Sequence, residues 1–62
     1  MVRLYYTDAL PYHYVAARDG MLWVIPCMPA SPEVWLRAKP YRGHYTLRPV
    51  RPDMLARVYA PA

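Results

Sequence analysis

Eight prolines stand in this chain of 62 residues, where average usage would supply about three. Proline fixes φ and has no N–H to donate, so the chain is cut into short segments joined by stiff loops. Three of the eight fall between Pro26 and Pro32, which removes ladder donors and ends any strand there. A chain of this length buries only about 60% of the surface it exposes when unfolded. Its core must therefore be dense, and the 56% apolar content supplies the material for one domain spanning residues 1–62.

The segments between prolines read as strands. Val2 to Thr7 is rich in β-branched and aromatic residues and is closed by Asp8 and Pro11. Tyr12 to Ala17 and Met21 to Ile25 flank Arg18-Asp19-Gly20, and an Asp-Gly pair between such runs is a strong hairpin signal because glycine accepts positive φ. Val34 to Lys39 alternates, with Val34, Leu36 and Ala38 on one face and Trp35, Arg37 and Lys39 on the other. Pro40 to Gly43 has the proline and glycine of a turn, and His44 to Val50 alternates again. Arg51 to Tyr59 reads as a short helical or 3₁₀ turn capped by Asp53, or as a last short strand. The expected fold class is all-β: a small antiparallel barrel of five or six strands with one short helical turn near the C-terminus. Leu4, Val15, Leu22, Val24, Leu36, Leu47 and Leu55 are its expected core.

The order of these features resembles an SH3-like barrel. Leu4-Tyr5-Tyr6 near the start, the strand Gly20 to Ile25, Val34 to Ala38 opening a later hairpin, Gly43 in a turn, Pro49 and the terminal Val58-Tyr59-Ala60-Pro61 carry the resemblance. The chain departs from peptide-binding SH3 domains in two respects. Only Asp8 follows the first strand in place of an acidic cluster, and no tyrosine stands just after Pro49.

Several classes of function are not supported by the residues present. One cysteine, Cys27, allows no intramolecular disulfide, so a reducing cytoplasmic setting is the expectation. The apolar run Met21 to Ala30 is well short of the roughly 20 residues that cross a bilayer. Arg3 is followed by Tyr5, Tyr6, Thr7 and Asp8 where a signal peptide needs an unbroken apolar stretch. Cys27, His13 and His44 lie on separate elements with no metal-ligand spacing, and four scattered acids form no pair for acid–base work. Neither an enzyme nor a cofactor is expected.

Charge points somewhere more definite. The net charge is +4, and residues 34–52 carry Arg37, Lys39, Arg42, Arg48 and Arg51 with no acid. On the alternation above, Trp35, Arg37 and Lys39 share an outward face with His44, Thr46 and Arg48, and Tyr41 and Arg42 lie at the tip. Bases stack on aromatic rings and phosphates pair with arginine. Trp35, Arg37, Lys39, Tyr41, Arg42, His44 and Arg48 are thus the candidate nucleic-acid-binding residues of a regulatory or accessory factor. The alternative is a protein-interaction module, an inhibitor or a subunit of a larger complex, using the same Arg, Tyr and Trp surface. Solvated arginines and core tyrosines account for the same residues without any partner. Open strand edges make a homodimer a further candidate state.

Overall fold

Asp19 and Gly20 both take positive φ, 52° and 76°, and Arg18 faces Met21 across the ladder. The loop is therefore the two-residue type I′ turn whose twist matches its flanking strands. From this hairpin a single antiparallel sheet of five strands is built, in the order β4-β3-β2-β1-β5. The strands are β1 (Arg3–Tyr6), β2 (His13–Arg18), β3 (Met21–Pro26), β4 (Lys39–Pro40) and β5 (Arg48–Pro49), with one short helix, α1 (Glu33–Leu36), between β3 and β4. The structure, a computed structural model, describes residues 2–28, 31, 33–50 and 59. It is a small all-β fold with very little helix, as the spacing of strand and turn signals predicts.

Register fixes two faces. Leu4 lies opposite Ala16 and Ala16 opposite Trp23, while Tyr14 lies opposite Ile25; these side chains share one face because strand side chains alternate. That face is covered by Val34 of α1 and by Tyr59, giving a core of Val2, Leu4, Ala16, Ile25, Val34 and Tyr59 with Tyr14, Trp23, Met28 and Trp35 packed against it. Tyr59 meets Tyr14 edge to face, with ring centroids 5.7 Å apart. The opposite face carries Tyr5, Val15 and Val24 in one ladder row, and Val15 there is buried.

Residues 33–36 depart from the strand expected over Val34 to Lys39. The Ser31 hydroxyl accepts from the Glu33 N–H at 3.3 Å, and Arg37 N–H donates to the Glu33 carbonyl at 3.3 Å. Ser31-Pro32-Glu33 is a helix-start sequence, a capping hydroxyl followed by proline and an acid. In a helical turn, residues two apart point to nearly opposite sides, which explains why Val34 is buried while Leu36 is 85% exposed.

The second expected hairpin, turning at Pro40 to Gly43, is also absent. β4 pairs with β3 and β5 with β1, so the two segments flank the sheet on opposite edges, and only Arg48–Pro49 of His44 to Val50 joins the ladder. Of the expected core, Leu4 and Val15 are buried, Val24 and Leu47 half-buried, and Leu22 and Leu36 exposed. Leu55, and the turn expected over residues 51–58, lie outside the described residues.

Both edge strands consist of a cation followed by proline. Tyr41 N–H donates to the Leu22 carbonyl and Val50 N–H to the Leu4 carbonyl, each at 2.9 Å. Pro40 opposite Trp23 and Pro49 opposite Tyr5 then occupy the alternate ladder positions, whose N–H would point away from the sheet. Among the described residues, each outer strand thus puts proline where its outward donor would stand.

Candidate nucleic-acid interface

The residues from 34 to 48 that the alternation places on one face are dispersed by the helix and by the separation of β4 from β5. Trp35 lies in α1, half-buried. Its Nε1–H donates to the Tyr59 carbonyl at 2.6 Å, and the Arg18 guanidinium sits 4.3 Å from its ring centre and 5.2 Å from that of Trp23. This ring is held by the core and by a cation, an arrangement worth about 0.5–2 kcal/mol in cation–π attraction. Tyr41 is committed as well. Its hydroxyl accepts from Tyr45 N–H at 3.2 Å and donates to the Tyr45 carbonyl at 3.5 Å, and its ring lies where a Cβ on Gly43 would come within 2.9 Å. A side chain at position 43 would make that ring shift.

Arg42, His44 and Arg48 are exposed. Arg48 lies opposite Tyr6 in the β1–β5 ladder and Lys39 opposite Val24 in the β3–β4 ladder. By the alternation of side chains these two cations are on opposite faces as well as on the two outer strands of the described sheet. Arg37 and Lys39 stay together. They line an open pocket of about 390 Å³ with His13, Val24 and Pro26, a size within the roughly 300–1,000 Å³ of small-ligand sites. His13 enters because it lies opposite Pro26 at the end of the β2–β3 ladder, on the same face as Lys39. Among the described residues, the only ion pair is Arg18–Asp19 at 3.8 Å, so no described carboxylate neutralises Arg37 or Lys39.

A second depression, of about 340 Å³, adjoins the first at His13 and is lined by Tyr6, Asp8, Tyr12, Tyr14 and Cys27, among others. Tyr12 takes φ 64°, a left-handed conformation that is uncommon for a large side chain and is held by a hydrogen bond from Cys27 N–H to the Tyr12 carbonyl at 2.8 Å. Its side chain is 86% exposed. Expected to join a core-facing strand, Tyr12 instead precedes β2 and presents its ring to solvent. His13 Nδ1 lies 2.9 Å from the Pro11 carbonyl; a carbonyl only accepts, so Nδ1–H is the donor of this bond.

Tyr14 is pushed up to about 12 from the ordinary 10.0, first by hydrogen bonding with the Cys27 side chain, then by burial and by the charges of Cys27 and Tyr59. Tyr59 is also raised, mainly by burial. In the unfolded chain Tyr14 loses its proton near 10 while the folded chain still holds it. Its contribution to stability is therefore intact below pH 10 and lost as the pH rises toward 12. Tyr14→Phe is expected to flatten the alkaline limb of a circular-dichroism stability profile across that window; an unchanged limb would assign the alkaline loss to other groups.

No group of three or more metal-ligating side chains occurs among the described residues, and no helix among them is long and apolar enough to cross a membrane. No family model matches the chain, and no curated protein or solved structure is significantly similar to it.

Proposed function

We propose that this chain is a small basic nucleic-acid-binding protein, a regulatory or accessory factor, anchored through phosphate contacts. The observation that carries the proposal is the convergence of Arg37 and Lys39, with His13 beside them, on one open pocket without a described acid to neutralise the two cations. Arg42 and Arg48, exposed elsewhere on the surface, add attraction at longer range. The return of β5 to β1 in the ladder supports an SH3-like arrangement of the barrel, and the free, exposed Cys27 thiol fits a reducing compartment.

A salt titration of binding to single-stranded DNA, duplex DNA and RNA tests the proposal. Affinity should fall steeply with salt, and Arg37→Ala and Lys39→Ala should each flatten the slope by about one unit while weakening all sequences alike. Absence of binding at low salt would reject it. A protein-contact surface would then lead, favoured by Leu36, which stands 85% exposed beside Arg37.

A further inference from the structure

The two depressions share His13 in their linings and differ in chemistry in a way that a nucleotide passing around the end of β2 matches. On one side are the cations Arg37 and Lys39; on the other are the rings of Tyr6, Tyr12 and Tyr14 with one carboxylate, Asp8. Resting on the nucleic-acid reading above, we infer that the pair of pockets is a binding track for single-stranded nucleic acid, with a base on Tyr12 and the adjoining phosphate between Arg37 and Lys39.

Charge sets the direction of the strand. A phosphate is repelled by Asp8 and attracted by the two cations, so the backbone takes the β3–β4 side and the base the tyrosine side. His13 stands at the junction with Nδ1–H given to Pro11, leaving its other ring nitrogen at the point where sugar and phosphate pass. Tyr12 is 86% exposed and has its ring free to stack, whereas Trp35 is committed to Tyr59 and Arg18. Stacking on a side chain requires a base out of its duplex. The track consequently favours a single strand over the same sequence in a duplex and tolerates any base, because every base has a π-face.

The test uses the full chain with a short thymidylate oligomer, the corresponding uridylate oligomer and a duplex. Tyr12→Asn is the informative variant, because asparagine tolerates left-handed backbone and keeps the fold while removing the ring. It should weaken single-strand binding by roughly 5- to 150-fold with the salt slope unchanged, and Tyr12→Phe should bind within about twofold of the parent. An unchanged melting transition in Tyr12→Asn shows that the loss is local. Should Tyr12→Asn bind single strands like the parent, or should the duplex bind as tightly as the single strand, the track is wrong. Loss of binding in an Arg37→Ala, Lys39→Ala double variant would still uphold the phosphate-anchored reading in that case. No binding to any of the three nucleic acids overturns both.

Discussion

Ile25→Ala is expected to leave the chain largely unfolded at room temperature. Ile25 is fully buried, opposite Tyr14 in the ladder and within the cluster that α1 and Tyr59 cover. Truncating such a side chain costs about 2–5 kcal/mol, and a core in a chain below about 70 residues rarely supplies more than 3–5 kcal/mol. Urea or thermal melts followed by circular dichroism measure the effect directly. Leu36→Ala is the matched control: the same measurement should move by less than about 0.5 kcal/mol, because the side chain touches little when folded and is 85% exposed. A normal transition in Ile25→Ala, or a collapse in Leu36→Ala, would contradict the face assignment of β3 and α1.

Tyr59→Ala should be about as damaging, on the order of 3–5 kcal/mol by analogy with other large aromatic truncations. Tyr59 joins three distant parts of the chain. Its ring packs against Tyr14, its hydroxyl donates to the Met28 carbonyl, and its carbonyl accepts from Trp35 Nε1, a residue 24 positions away. Tyr59→Phe keeps the ring and removes only the hydroxyl, leaving a carbonyl without its donor. It should cost about 1–3 kcal/mol, a fall in Tm of roughly 4–8 °C per kcal/mol in a domain of this size. If Tyr59→Phe and Tyr59→Ala melt together, the hydroxyl and not the ring holds this end of the chain.

Much of the sheet is legible in the residues themselves. Asp19-Gly20 fixes a turn whose two positive φ values few other pairs accept, and the branched and aromatic runs on either side have no competing helical pattern. Val34 to Lys39 was open to two periods, since in so short a stretch apolar residues at every second position do not exclude a helical turn. Ser31-Pro32-Glu33 decides for the helix, and that signal lies in the sequence beside the misleading one. The candidate site was legible only in part. Arg37 and Lys39 are neighbours in sequence and stay neighbours in space, but His13 joins them through the register of β2 on β3, which depends on every pairing from the turn outward. Tyr12 carries no local mark of its left-handed backbone, and its carbonyl accepts from Cys27 N–H as the next rung beyond His13 and Pro26.

Lys39-Pro40 and Arg48-Pro49 have a consequence for how this molecule meets others. A β-strand from a partner, or from a second copy, docks on a sheet by exchanging main-chain donors and acceptors with its margin. Here each margin offers carbonyls, but the ring of a proline replaces the one outward amide, and a positive charge stands beside it. Among the described residues, strand addition is therefore disfavoured at Lys39–Pro40 and at Arg48–Pro49. A partner that meets either of these two strands must then be held by side chains rather than by an exchanged backbone ladder.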